Sequence, residues 1–153
     1  MSALDVLCPL PGTALAMSDV PDPVFAGAIV GPGLAVDPVR DGVVDAVAPI
    51  SGKLLKLHPH AYVVQEPGGR AVLVHLGLDT VQLKGEGFTL HVAEGETVSA
   101  GQVLVSWNPA EIERGGRSPV VPVVAMEAGA DALTMVAQPG GTLRAGDPLF
   151  TWA

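Results

Sequence analysis

The sequence predicts an all-β fold: an antiparallel β-sandwich or flattened barrel with an internal pseudo-twofold repeat and one or two short helical turns. Nineteen glycines and fourteen prolines interrupt the 153 residues too often for long helices. Hydrophobic residues make up 48% of the chain and aromatic residues only 4%, which predicts an aliphatic core rich in valine. Valine favours strands, so short strands joined by tight turns satisfy both observations.

Two pairs of similar segments indicate the internal repeat. Cys8–Leu15 and Ala48–Leu55 share a small residue, a proline, an aliphatic residue and a glycine ahead of an apolar strand. Gly95–Leu104 and Gly140–Leu149 each place a short strand between two turn glycines. Duplicated hairpins of this kind are typical of a closed sandwich or barrel.

Apolar runs bounded by glycine, proline and polar turns predict the strands. In chain order, these span residues 12–16, 28–30, 33–37, 43–48, 51–57, 61–66, 70–76, 87–92, 97–99, 103–107, 120–126, 133–137 and 148–152. A short helix is predicted at Pro109–Arg114, because Asn108 suits the N-cap and proline suits the first turn. Leu78–Leu83 predicts one further helical turn.

Length and charge limit the classes of protein that this chain can be. The 153 residues fit a single domain, 1–153, with the first few residues loosely held. A net charge of −8 disfavours nucleic acid and favours either a partner with a basic face or solubility alone. The single cysteine, Cys8, predicts a reducing compartment. No signal peptide or membrane span is recognised, so we expect a cytoplasmic protein without membrane insertion.

Two histidines stand where apolar strands meet turns. Ala71–Val74 leads to His75 just before a glycine turn, and His60 stands at the start of another apolar run. Histidines held on rigid strand ends are available for chemistry, as metal ligands, as an acid–base pair or as a phosphoryl acceptor with a helper. No Walker-type glycine loop, kinase signature or magnesium motif is present, so ATP is not the expected phosphoryl donor.

The residues around these histidines form a specific pattern. It comprises Ala48–Gly52, His60–Ala61, Val74–Val81 and Leu83–Phe88, with further matches at Val20–Ala26, Gly31–Val36, Gly95–Val98 and Ser118–Val124. The pattern resembles the glucose-type IIA domain of the bacterial sugar phosphotransferase system over essentially the whole chain. The resemblance implies a phosphotransferase component that needs no cofactor. It would take a phosphoryl group from the histidine-containing phosphocarrier protein and pass it to a IIB domain of a sugar permease.

The resemblance also implies roles for individual residues. His75 matches the phosphoryl acceptor, and His60 matches the second active-site histidine, which would donate a hydrogen bond to a phosphate oxygen. Asp79 is expected at the rim, either as a turn-forming cap or to attract a basic partner. The chain departs from the family at His58, where a threonine is usual; His58 would replace it as a hydrogen-bond donor or lie solvated in a loop. The expected apolar docking surface comprises Val24, Phe25, Ile29, Val30, Leu73 and Val81.

Two other classes of function share part of the pattern. The glycine turns also resemble a biotinyl or lipoyl carrier domain, but Glu127 follows Met126 where such a carrier needs its acceptor lysine. His58, His60 and His75 would suit a zinc peptidase, although no separate histidine is available as a general base. A zinc ion bridging His60 and His75 is compatible with the phosphoryl relay and is not required by it.

Overall fold

The computed structural model describes residues 2–153 and confirms the predicted all-β fold. The strands are β1 (Leu4–Leu7), β2 (Gly12–Ala16), β3 (Gly33–Pro38), β4 (Val44–Val47), β5 (Gly52–His58), β6 (Ala61–Gln65), β7 (Ala71–His75), β8 (Thr89–Leu90), β9 (Thr97–Val98), β10 (Val103–Trp107), β11 (Val121–Ala125), β12 (Leu133–Met135), β13 (Thr142–Leu143) and β14 (Pro148–Trp152). The helices are α1 (Pro23–Ala26) and α2 (Pro109–Arg114), with 3-10 turns at Met17–Asp19, Thr80–Leu83 and Ala130–Ala132. Within residues 2–153, no helix is long and apolar enough to cross a membrane.

The strands pair antiparallel in one eight-stranded and two three-stranded sheets. The large sheet has the order β13-β2-β3-β11-β7-β6-β5-β9, and the small sheets have the orders β1-β14-β12 and β4-β10-β8. The large sheet therefore consists of two matching halves that meet between β11 and β7. Backbone hydrogen bonds repeat this symmetry, since Leu7 N donates to Pro49 O and Val47 N donates to Pro9 O, both at 2.9 Å. The predicted pseudo-twofold repeat is thus present in the backbone.

The main core combines side chains from all three sheets. Val74 of β7, Leu104 of β10 and Phe150 of β14 are fully buried in it. Each such side chain contributes about 1.5–3 kcal/mol of burial free energy relative to exposure. The Tyr62 hydroxyl is buried here and donates a 2.8 Å hydrogen bond to Val47 O, so this polar group enters the core with its partner.

A second apolar cluster lies on the opposite face of the large sheet. Alternation along β7 directs Val74 into the main core and Leu73 and His75 to this other face. Val63 and Val124 are the cross-strand neighbours of Leu73. The buried members of the second cluster are Met17, Val20, Phe25, Ala35, Leu78, Val120 and Val124. The segment that contains α1 therefore packs over the sheet face on which His75 lies.

Some predicted elements differ from the structure. The strand predicted at 28–30 is wrong, because these residues form a turn in which Ala28 has a φ of 54°. The cause lies just before it, where Pro23 begins α1 and the Asp22 carboxylate accepts a 2.9 Å hydrogen bond from Val24 N. The list of predicted strands also omits β1, whose partner β14 is distant in sequence, and β13, although the repeat at Gly140–Leu149 indicates a short strand there.

Other elements agree with the prediction. The helix at Pro109–Arg114 is confirmed, with the Asn108 side chain accepting a 3.3 Å hydrogen bond from Glu111 N. The helical turn expected within 78–83 is the 3-10 turn Thr80–Leu83. The expectation of loosely held first residues includes Met1, which lies outside the described residues, whereas β1 is paired from its first residue.

Candidate active site

Two histidines lie side by side on the face of the large sheet that carries the second cluster. Strands β6 and β7 pair with Ala61 opposite His75, and Leu76 N donates a 2.7 Å hydrogen bond to His60 O. The centroids of the His60 and His75 rings are 5.2 Å apart, and the ring planes meet edge to face at 69°. The structure thus brings together the two histidines that the sequence singles out.

A backbone hydrogen bond sets the tautomer of His75. Its Nδ1 lies 2.5 Å from Gly77 O. Because a carbonyl oxygen can only accept, Nδ1 carries the hydrogen and donates it, and the lone pair of the neutral ring is on Nε2. Nε2 is therefore the nitrogen that can act as a nucleophile.

The turn that supplies this carbonyl is held from two sides. Gly77 has a φ of 82°, which a residue with a side chain rarely adopts. A Cβ at Gly77 would lie 2.7 Å from Thr80 Cγ2, so the position requires glycine. The buried Thr80 hydroxyl donates a 2.8 Å hydrogen bond to Leu76 O, and Leu78 N donates one of 2.9 Å to Ser118 O. These contacts keep the Gly77 carbonyl directed at His75.

Both imidazoles are neutral near neutral pH. Burial lowers the pKa of His75 from 6.5, although the hydrogen bond to Gly77 and the charges of Asp22 and Asp79 oppose that effect. Burial also lowers the pKa of His60, and repulsion from His75 and His58 adds to it, bringing the value to about 4. A neutral imidazole keeps the lone pair that a nucleophile needs and one N–H group that can donate.

The start of α1 supplies two groups beside His75. The centroid of the Phe25 ring lies 5.3 Å from that of the His75 ring, at an interplanar angle of 57°. Phe25 is only 8% exposed, so it shields this part of the His75 ring from solvent. Asp22 is the N-cap of α1, and its charge acts on the His75 ring. The sequence indicates Asp79 as an acidic residue at the rim but does not indicate Asp22. The available signal was the Asp-Pro pair, which is typical of a helix start.

The predicted docking residues divide into exposed and packed groups. Val24, Ile29 and Val81 are 42%, 73% and 59% exposed, which is unusual for large aliphatic side chains. Val30 and Leu73 are partly buried and pack against the second cluster. The exposed group can contact a partner directly, and the packed group supports it from beneath.

The third histidine of the region stacks on the second. His58 is the last residue of β5 and is exposed, and its ring lies 5.6 Å from that of His60 at an interplanar angle of 22°. The part of the chain that the structure describes contains no group of three or more His, Cys, Asp or Glu side chains that could hold a metal ion. The zinc-peptidase interpretation therefore finds no converging three-ligand set here. His60 and His75 remain as a pair that would need further ligands from elsewhere to complete a zinc site.

The turn that would carry biotin or lipoate in a carrier domain follows β11. Glu127 lies in this turn with a φ of 61° and is exposed. Its carboxylate cannot form the amide through which a lysine carries such a group. The acceptor chemistry of a carrier domain is thus absent at this position.

Comparisons with known proteins identify close relatives of the chain. It is 46% identical over 121 residues to the PTS system glucose-specific EIIA component of Halalkalibacterium halodurans, an alignment that covers 78% of this chain and 68% of the relative. It is 39% identical over 123 residues to the component of the same name from Oceanobacillus iheyensis, covering 79% of this chain and 73% of the relative. The solved structure of glucose permease IIA from Mycoplasma capricolum matches with a TM-score of 0.86 and 32% identity, covering 99% of this chain and 96% of that chain.

A family model gives the same assignment. The model described as phosphoenolpyruvate-dependent sugar phosphotransferase system, EIIA 1, matches residues 4–131. This range includes both histidines of the site, the Gly77 turn and α1. The resemblance seen in the sequence is confirmed. The chain therefore belongs to the EIIA 1 family and is a phosphoryl-relay component of the phosphoenolpyruvate-dependent sugar phosphotransferase system.

Proposed function

We propose that His75 accepts a phosphoryl group from the histidine-containing phosphocarrier protein and passes it to a IIB domain of a sugar permease. The hydrogen bond from His75 Nδ1 to Gly77 O, which lies beside the ring of His60, is the main support for this proposal. It leaves a neutral ring with its lone pair on Nε2, as a phosphoryl acceptor requires. Because the names of the relatives specify glucose, a glucose-type IIB domain is the first acceptor to test.

The proposed transfer exchanges one N–P bond for another between two imidazoles. The lone pair on Nε2 of His75 attacks phosphorus while the N–P bond to the carrier's imidazole breaks, and that ring leaves with the bonding electrons. The His75 ring becomes cationic, with Nδ1–H still donating to Gly77 O, and the bond strengthens because its donor is now charged. A cationic ring is a good leaving group, so a nucleophilic side chain of the IIB domain can then take the phosphoryl group in line.

His60 serves as a hydrogen-bond donor to the phosphoryl oxygens in this proposal. Its ring lies 5.2 Å from that of His75, close enough for a phosphoryl group on Nε2 to come within hydrogen-bond reach. At neutral pH the ring is neutral, since its pKa is about 4, and it has one N–H group to donate. Such a donor stabilises charge that is spread over the oxygens during transfer, and removing one typically costs about 10²- to 10³-fold in rate.

The surface around His75 suits a partner with an apolar centre and basic groups. Val24, Ile29 and Val81 provide exposed aliphatic area on the segment that contains α1 and on the turn that follows His75. Asp22 and Asp79 place two carboxylates near the His75 ring, and the chain as a whole has a net charge of −8. Complementary charge accelerates encounter, so we propose that the phosphocarrier protein and the IIB domain both contact this face with basic residues at the rim.

The test is a reconstituted transfer with phosphoenolpyruvate, the general phosphotransferase enzyme and the phosphocarrier protein. Wild-type protein should take up one acid-labile phosphate at His75, and His75→Gln should take up none because no nucleophile remains. His60→Gln should still accept phosphate, since glutamine can donate to an oxygen. Its amide does not reproduce the position of the imidazole N–H during transfer, so it should pass phosphate to the IIB domain about 10²- to 10³-fold more slowly.

His91→Gln is the matched control for these variants. His91 is exposed and hydrogen-bonds Ser106 at 2.7 Å, in the small sheet that contains β8 and β10, so its loss should leave both transfer steps unchanged. Phosphate mapped by mass spectrometry to His60, or full phosphorylation of His75→Gln, would contradict the proposed relay.

A further inference from the structure

We infer that His58 is a positioning residue for the relay: by stacking on His60, it holds that ring edge-on to His75. The inference rests on the proposed function, because the orientation of His60 matters for transfer only if His60 serves a phosphoryl group on His75. His58 contacts no reacting atom in this account and acts through His60 alone.

The two active-site rings are held in different ways. The His75 ring is fixed by its hydrogen bond to Gly77 O. Within the described residues, neither ring nitrogen of His60 makes a hydrogen bond, and its aromatic contacts are with two other imidazoles. The edge contact with His75 has a centroid distance of 5.2 Å at 69°, and the stacked contact with His58 has a distance of 5.6 Å at 22°. Rotation of the His60 ring out of its present plane would break the stacked contact.

The local backbone explains why His58 can stack. His58 pairs with Ala61 at the end of β5 and β6, so Pro59 and His60 form a two-residue turn between them. Proline restricts φ to about −65°, which limits the conformations of this turn. The Pro59 ring also packs close to Gly85, where an added Cβ would lie 3.2 Å from Pro59 Cγ. The turn is therefore rigid, and it places the side chains of His58 and His60 next to each other.

The residue type at position 58 matters for this contact. The family that this chain resembles usually has a threonine at position 58, which offers a hydroxyl but no ring that could stack. Imidazole offers a flat surface that matches the His60 ring, and offset aromatic pairs are favourable at centroid distances of about 4.5–7 Å. In this chain, stacking on His58 is therefore the contact that orients the second histidine.

Three variants test the inference in the same transfer assay, with a glucose-type IIB domain as acceptor. His58→Ala removes the stacking surface, and we expect onward transfer to slow about two- to tenfold at saturating IIB domain, with the KM for that domain unchanged. His58→Phe keeps a flat ring without the imidazole nitrogens and should restore the wild-type rate to within about twofold. His91→Ala is the control for loss of an exposed histidine elsewhere and should transfer at the wild-type rate.

Nuclear magnetic resonance provides a readout that does not depend on transfer. The ring protons of His60 should move downfield in His58→Ala, which removes the shielding ring current, and should shift back upfield in His58→Phe. The inference would be overturned if His58→Ala transferred phosphate at the wild-type rate and its His60 chemical shifts were unchanged. It would also be overturned if His58→Phe transferred phosphate as slowly as His58→Ala. If wild-type protein takes no phosphate on His75, the relay itself fails, and the His60 shifts alone then decide whether His58 orients the ring.

Discussion

Replacing His60 with glutamine should flatten the dependence of folding stability on pH below neutrality. Burial, His75 and His58 lower the pKa of His60 in the folded protein from 6.5 to about 4. Between these two values the unfolded chain binds a proton that the folded protein does not, and stability rises with pH wherever that holds. The contribution of the neutral ring is therefore complete above about pH 6.5 and is lost as the pH falls toward about 4.

The structure bounds the size of this effect. A change from 6.5 to about 4 would correspond to about 3 kcal/mol if fully expressed, at about 1.4 kcal/mol per pH unit. The His60 ring is half-exposed, and water screens part of the repulsion and of the desolvation cost. We therefore expect wild-type protein to lose about 1–2 kcal/mol more than His60→Gln across this range.

Urea titrations at several pH values between about 4 and 8 measure this difference directly. The free energy of unfolding of wild-type protein, His60→Gln and His91→Gln should be compared at each pH. Only His60→Gln should show the flatter profile, since His91 lies outside the site. Parallel profiles for wild-type protein and His60→Gln would contradict this prediction, because they would mean that His60 titrates alike in the folded and unfolded chains.

Three further substitutions test other parts of the account. Gly77→Ala should lower the free energy of unfolding in urea by about 2–4 kcal/mol, because a φ of 82° disfavours a side chain and the new Cβ would lie 2.7 Å from a threonine methyl. Unchanged stability would contradict this close fit. Tyr62→Phe should cost about 1–3 kcal/mol in thermal unfolding by leaving the buried Val47 carbonyl without its donor, and a loss below about 0.5 kcal/mol would be inconsistent with that role. Val81→Lys should keep wild-type stability and weaken binding of the phosphocarrier protein in calorimetry. Val43→Lys, at a site that is 69% exposed and away from His75, is the control and should change neither stability nor binding. Equal binding by the two variants would exclude Val81 from the interface.

Much of the fold could be predicted because its signals are local. Alternation, valine content and turn glycines mark most strands, and the repeat follows from similar segments. Strand β1 is not among the predicted strands, because it pairs with β14, at the other end of the chain. Its signal was nonetheless present: Leu4–Pro9 and Val44–Pro49 have the same pattern of aliphatic, aspartate, aliphatic pair, small residue and proline. Extending the repeat by those residues would have predicted β1 from β4.

For the candidate site, the sequence indicates where the two histidines stand but not the geometry between them. His60 and His75 stand at strand ends, so their positions follow from the local sequence. The bond from His75 to Gly77 O and the stacking of His58 depend on the exact path of two turns, which residue types alone do not specify. The burial of Phe25 against His75 depends on how the segment that contains α1 packs over the sheet, and the sequence predicts a strand at 28–30 instead of the turn that follows α1.

We propose that Nε2 of His75 is the atom that carries the phosphoryl group. Protein labelled with nitrogen-15 in histidine and phosphorylated from phosphoenolpyruvate allows the attachment to be read from nitrogen–phosphorus coupling in the NMR spectrum. We expect one phosphorus signal coupled to Nε2 of His75, with Nδ1 still carrying the hydrogen that it donates to Gly77 O. Coupling to Nδ1 of His75, or to either nitrogen of His60, would contradict it.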